Sequence, residues 1–433
     1  MKSTSPLLEL MPDGTVKQRH PFTGTRVWTM PGRGRRPLPR SADEVVPLEP
    51  GATGLAGCAF CPGHHLQNPP EKARLVAEGE RWRPLVGLGV GELETTVDDF
   101  RRVPNLFEIC SVDYWRTNHG VQVPPAARER AERYLADPAG RAHLQTVLAM
   151  KERIGGDPGE ITDERLLDAA LNWCASTHEL VIPRRHHVDG ATMSDQLASS
   201  GELTWAEHRA YIGMTIDAMA DLYATSPSVQ YVSVFQNWLK PAGASFEHLH
   251  KQVVAIDEVG EHVTAAVAAL EANPDAFNEQ LLDVAVDNSL VVAANQYAVA
   301  HAGFGHRYPS IEIHSLSPRR EPWLMSPEEV AGMADLLHAV HAAGGASLSC
   351  NEEWHHRPPG MDQAMPWRIV VKWRISTLAG FEGDTKIYLN TLSPWDVRTR
   401  VVAQMRERRE QGRLAPGITI GDECAVGTGM LPH

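Results

Sequence analysis

The sequence predicts an α+β protein made of two halves of similar order, each an antiparallel sheet with flanking helices. Three observations predict it. In both halves a strand-like apolar run precedes a capped helical stretch, and further strand-like runs follow it. No short tandem repeat occurs, which removes solenoids and propellers. The 433 residues suffice for two such halves.

The elements follow in order. Residues 15–31 read as two short strands around a Thr23-Gly24 turn, and a loop rich in Gly, Arg and Pro runs on to about residue 57. Residues 123–175 turn helical, in Ala-rich and charged stretches broken at Asp137-Pro138 and around 155–159; this block reads as a helical insertion. Residues 179–183 (Glu-Leu-Val-Ile-Pro) form a buried strand. Thr204-Trp-Ala-Glu207 has the form of a capping box and opens a helix to about Thr225. Strands at 230–238 and 252–256 flank the segment 243–250. The second half repeats the order: strands at 290–294 and 311–316, a helix from Ser326-Pro-Glu-Glu329 to about His341, strands at 368–376 and 386–389, and a closing helix from about Pro394. The boundary is placed between 1–285 and 286–433.

Hydrophobic residues make up 42% and charged residues 22%, an ordinary soluble composition, and the net charge is −13. An acidic chain offers no broad field for DNA or anionic membrane, so neither nucleic acid nor membrane is expected as a partner and any phosphate site must be local. No apolar run of membrane-spanning length occurs and Met1 to Pro12 lacks a secretory pattern, so a cytoplasmic chain is expected. Six cysteines in this length do not form a disulfide framework.

The sharpest local feature is Ser245-Phe-Glu-His-Leu-His-Lys-Gln252. In an extended segment, positions 248, 250 and 252 share one face, so two imidazoles and one amide converge. A neutral imidazole attacks phosphorus as a nucleophile, and a neighbouring amide bonds the oxygens that gain charge. Such a pair also suits histidines bonded to backbone at a strand edge. The small residues before it, Pro241-Ala-Gly-Ala-Ser245, let a phosphate approach, with the Ser245 hydroxyl as a contact. Cys58-Ala-Phe-Cys61 offers two thiolates to tetrahedral zinc, completed by histidines from far along the chain. His187 and His248 are the candidates, while His186, His64, His65 and His119 remain compatible by spacing. Arg19, Arg26, Arg33, Arg35 and Arg36 form a local basic cluster able to hold a diphosphate, and Asn105-Leu-Phe107 offers an amide and a ring to a nucleoside. P-loop, H-E-x-x-H and G-x-S-x-G motifs are absent.

Together these segments resemble galactose-1-phosphate uridylyltransferase, of the histidine-triad superfamily. The likeness rests on Arg19-His-Pro-Phe-Thr-Gly-Thr-Arg-Val-Trp-Thr-Met-Pro-Gly-Arg-Gly-Arg-Arg-Pro37, Cys58-Ala-Phe-Cys-Pro-Gly63, Arg102-Val-Pro-Asn-Leu-Phe107, His178-Glu-Leu-Val-Ile-Pro-Arg-Arg-His-His187 and Gly243-Ala-Ser-Phe-Glu-His-Leu-His-Lys-Gln252, in the family's order. The resemblance implies a duplicated histidine-triad fold, usually a homodimer. It also implies ping-pong transfer of a nucleoside monophosphate, UMP first among them, between a nucleoside diphosphate sugar and a sugar 1-phosphate. His250 is then the nucleophile and Gln252 its phosphoryl-binding partner. Cys58, Cys61, His187 and His248 look like a structural zinc site. Arg33, Arg36, Asn105, Phe107 and Ser245 look like substrate contacts. A phosphorylase or adenylyltransferase acting on ADP-sugars or dinucleoside polyphosphates, and a non-catalytic nucleotide-binding protein, are the alternatives. The chain departs from the family at Leu249 and Lys251, where the motif usually has Pro and Gly, and at 367–373, which lacks an H-x-H seen there as a second metal site.

Overall fold

The computed structural model describes residues 6–32, 45–49, 54–55, 57–79, 81–156 and 159–432. Its centre is a twelve-stranded sheet in which every neighbouring pair runs antiparallel. From one edge to the middle come Arg81–Val86, Ala73–Glu78, Phe100–Pro104, His178–Pro183, Lys251–Ile256 and Tyr231–Trp238. From the middle to the other edge come Cys350–His355, Arg368–Trp373, Ser310–Ser315, Ala298–Ala302, Val291–Ala294 and Thr419–Ile420. The halves meet where Tyr231–Trp238 pairs with Cys350–His355, Phe235 opposite Glu353. The inner five strands of each half read outward from the seam in the same order, while the edge strands Arg81–Val86 and Thr419–Ile420 come from different places in the chain, and the fold is a duplicated α+β unit.

The long helices lie against one face through their apolar residues, and their caps fix where they start. Thr204 Oγ1 accepts the Glu207 backbone N–H while Glu207 accepts that of Thr204, which starts the helix Trp205–Thr225. Ser326 and Glu329 do the same for Pro327–Gly344, with Pro327 at the first helical position. Val181, Val253, Ala255, Ile311, Ile313, Ile369 and Val371 point from the sheet into the same core as Tyr211, Met219, Leu336 and Val340 of these helices. The period of two then sends the intervening residues, His250 and Gln252 among them, to the opposite, open face.

The insertion expected at about 123–175 consists of helices Pro125–Ala136, Pro138–Gly155 and Asp163–Cys174, with a small core of its own around Tyr134, Leu144, Leu166 and Trp173. It sits between the paired strands Phe100–Pro104 and His178–Pro183 and leaves their register intact. The two strands expected near Thr23 are Val16–Arg19 and Arg26–Thr29. They join Leu8–Leu10 and, in parallel, Ile387–Asn390, so the last of these belongs to a separate four-stranded sheet.

Candidate active site and metal centre

Residues 248, 250 and 252 project from the open face, and each meets a different neighbour. His248 donates from Nε2 to the Pro183 carbonyl at 2.7 Å, which leaves Nδ1 as the lone-pair nitrogen. That Nδ1 lies 3.7 Å from the sulfur of Cys58 and 3.7 Å from that of Cys61. The fourth corner is His186, whose Nδ1 is 3.3 Å from the Cys61 sulfur. All four are buried, and their ligand atoms lie within 4.8 Å of one another. The structure thus brings together Cys58, Cys61 and His248 as expected, but His186 rather than His187. His187 stacks its ring on His186, centroids 4.6 Å apart, and does not join the cluster. Adjacent residues differ in direction, and sequence spacing alone does not choose between them.

Two thiols and two imidazole nitrogens at this separation fit tetrahedral coordination, with about 2.3 Å to sulfur and about 2.1 Å to nitrogen. Hydrogen bonding from Cys61, opposed by burial and aided by His186 and His248, pulls the Cys58 thiol far below its ordinary range. The Leu55 backbone N–H donates to the Cys61 sulfur at 3.3 Å. Gly54 allows that approach, because a Cβ there would stand 2.5 Å from the same sulfur.

The cysteine loop also backs the nucleophile candidate. Phe60, between the cysteines, stands edge-on to His250 at 5.4 Å and to His248 at 6.0 Å. His250 is 5% exposed and donates from Nδ1 to the His248 carbonyl at 2.8 Å, so the uncommitted lone pair is on Nε2. Burial holds its pKa below the usual histidine range, and the ring is neutral near pH 7. Gln252 directly faces Leu180 on one neighbouring strand and Phe235 on the other.

His178, which sequence reasoning left without a role, lies between Asn105 and Gln252. Its Nε2 is 3.0 Å from Gln252 Oε1 and 3.1 Å from Asn105 Nδ2. Its place in the strand His178–Pro183, on the face of Leu180 and Ile182, was the available signal. Asn105 is half-buried, Phe107 is exposed, and Ser245 lies exposed in the turn that leads to His250. Arg33 and Arg36 fall outside the described residues.

Lys251, the departure between His250 and Gln252, points to the helical side. Its ammonium lies 4.9 Å from the centre of the Tyr211 ring and 2.5 Å from Glu352 Oε1 of the second half. Leu249 is likewise buried in the main core. Among the described residues one other group draws ligand atoms together: His301, Glu312 and His314, with the two Nε2 atoms 3.1 Å apart. Arg368 already neutralises Glu312 at 2.8 Å, and a divalent ion there would add uncompensated buried charge.

The architecture defines the class by its fold alone, a duplicated antiparallel α+β unit of the kind seen in GalT-like proteins. It aligns with the crystal structure of an ADP-glucose phosphorylase from Arabidopsis thaliana with bound ADP-glucose, TM-score 0.59 and 16% identity, over 89% of this chain and 97% of that one. It also aligns with a GalT-like protein from Arabidopsis thaliana, TM-score 0.53 and 17% identity, over 80% and 91% of the two chains. The chain itself belongs to the family described as a domain of unknown function, DUF4921, which matches residues 11–433. A curated Arabidopsis thaliana ADP-glucose phosphorylase is 26% identical over 191 residues, 40% of this chain. The matched region spans about half the length of that relative, 52%.

Proposed function

We propose that this protein is a nucleotidyltransferase acting on a nucleoside diphosphate sugar through a covalent intermediate on His250. The adenylyl group of an ADP-sugar is the moiety transferred, to inorganic phosphate or a sugar 1-phosphate. One observation carries the reading: a buried, neutral imidazole with its Nδ1–H committed to the His248 carbonyl and its Nε2 free, next to an amide on the same sheet face. The choice of adenylyl over the uridylyl group suggested by the sequence rests on the likeness to the two Arabidopsis thaliana ADP-glucose phosphorylase comparisons.

The chemistry follows from these residues. Nε2 of His250 attacks the α-phosphorus, the bond to the bridging oxygen breaks, and the sugar 1-phosphate departs. No proton need leave the imidazole first. Its Nδ1–H keeps its bond to the His248 carbonyl, which supports the positive charge the ring acquires. Gln252 donates to the phosphoryl oxygens, and the exposed Ser245 hydroxyl and Asn105 amide meet the phosphate and nucleoside. An oxygen of phosphate or of a second sugar 1-phosphate then displaces His250 and restores the free ring. Cys58, Cys61, His186 and His248 are assigned to structural zinc, which when bound stiffens the strand entry two residues before the nucleophile.

Intact-mass measurement after incubation with ADP-glucose and, separately, UDP-glucose tests the reading. An AMP-sized adduct that His250→Gly abolishes is expected. A UMP adduct alone reverses the choice of base. No adduct with either sugar nucleotide, or one that persists in His250→Gly, overturns the mechanism.

A further inference from the structure

We infer that His178 is a positioning residue that fixes which way the Gln252 carboxamide points; this rests on the transfer chemistry proposed above. The backbone N–H of Ile109 donates to His178 Nδ1 at 3.1 Å, so that nitrogen carries a lone pair and not a proton. His178 is 1% exposed, and burial lowers its pKa to about 4, so the ring is neutral and its single proton sits on Nε2. Nε2–H then has one acceptor in reach, the oxygen of Gln252 at 3.0 Å. With its oxygen held, Gln252 turns its NH2 group the other way, into the open face shared with His250.

Asn105 completes the arrangement. Its Oδ1 is taken by the backbone N–H of Phe107 at 2.9 Å, so its NH2 faces His178 Nε2 at 3.1 Å, where a protonated nitrogen cannot accept it. Two amide donors, Asn105 and Gln252, therefore flank one imidazole without using it as an acceptor. A ligand rich in acceptors and poor in donors at that place, such as an ionised phosphoryl group, satisfies both. A glutamine rotated by half a turn would present its oxygen to the phosphoryl group and repel it, and His178 excludes that rotamer.

The test is a set of four variants of the full chain: His178→Leu, His178→Gln, Gln252→Ala and the double variant His178→Leu/Gln252→Ala. Rates of nucleotide-adduct formation at saturating ADP-glucose, KM, thermal midpoint and metal content are measured for each. His178→Leu is expected to slow adduct formation by about 10- to 100-fold with KM and metal content little changed. His178→Gln, which keeps a donor, recovers most of the rate. In the Gln252→Ala background, His178→Leu costs nothing further. Multiplying losses in the double variant, or full rate in His178→Leu, overturns the inference. Imidazole 15N NMR of the parent tests it without activity: Nε2–H with unprotonated Nδ1 is expected, and the opposite tautomer refutes it even if no adduct ever forms.

Discussion

Replacing Lys251 with Met tests how the active strand is held to the second half. Lys251 and Glu352 are both fully buried; the ammonium reaches Glu352 at 2.5 Å and Gln236 Oε1 at 3.0 Å. Glu352 also receives Trp354 Nε1–H at 2.6 Å and His341 Nε2 at 2.7 Å. Burial alone would lower the lysine and raise the glutamate, but Lys251 and His341 hold Glu352 well below the ordinary carboxylate range. Removing one partner leaves a buried charge with reduced compensation, a loss of about 3–5 kcal/mol. Spread over a chain of 433 residues with about 2 cal/mol/K of unfolding entropy per residue, that is about 4 °C in thermal midpoint. Lys251→Met, Glu352→Gln and the double variant should be compared by calorimetry. The double variant should recover most of the loss, because Met and Gln leave no unpaired charge. Adduct formation by Lys251→Met at permissive temperature should stay near the parent, since the side chain points away from His250. A midpoint unchanged in Lys251→Met, or losses that simply add in the double variant, would refute the coupling.

Four further outcomes are expected. His186→Ala should lose the metal and His187→Ala should keep it, read by metal analysis of purified protein; the reverse would move the fourth ligand. Adduct formation should keep its rate as pH falls to about 6.5, the ordinary histidine pKa, because the His250 pKa lies lower still; an acid limb above that value would contradict a neutral buried nucleophile. Glu108, raised by burial from 4.5 to about 7, binds its proton more tightly folded than unfolded. Stability should therefore fall between pH 4.5 and about 7, by up to about 3 kcal/mol, and level off above, a slope that Glu108→Gln flattens in urea titrations. Covalent labelling should saturate at one nucleotide per chain, as counted by mass.

Much of this was legible in the sequence because it follows from local rules. The capping residues Thr204 and Ser326 start their helices where the Ser/Thr-x-x-Glu pattern places them. The alternation of 248, 250 and 252 needs only an extended backbone. What escaped depends on tertiary choices. Ala298–Ala302 and Cys350–His355 are strands whose short, part-polar runs carry no clear period until a neighbouring strand buries them. The run at 386–389 is a strand, but periodicity cannot name its sheet, and it pairs with residues more than 350 positions away. His186 and His187 are indistinguishable by spacing, and only the fold turns one ring to the thiols. His178 has no motif of its own; its role appears when Ile109 and Gln252 meet it from two other segments.

The pairing registers show why the proposed chemistry has no counterpart in the second half. Gln252 faces Phe235 and Leu180 as Val370 faces Glu353 and Glu312, so the pairing registers equate Gln252 with Val370 and His250 with Arg368. His178 then corresponds to Ser310, and Leu180 to Glu312. The second half thus holds a guanidinium where the first holds the proposed nucleophile. A guanidinium stays protonated at any pH a protein survives, so it offers phosphorus no lone pair. Its charge is met by Glu312, which occupies the place of an apolar residue in the first half. Arg368 and Glu312 compensate each other on a buried sheet face, where His306 Nε2 also lies 2.8 Å from Glu312. The second half contributes Glu352, whose carboxylate crosses the seam to hold Lys251 between His250 and Gln252.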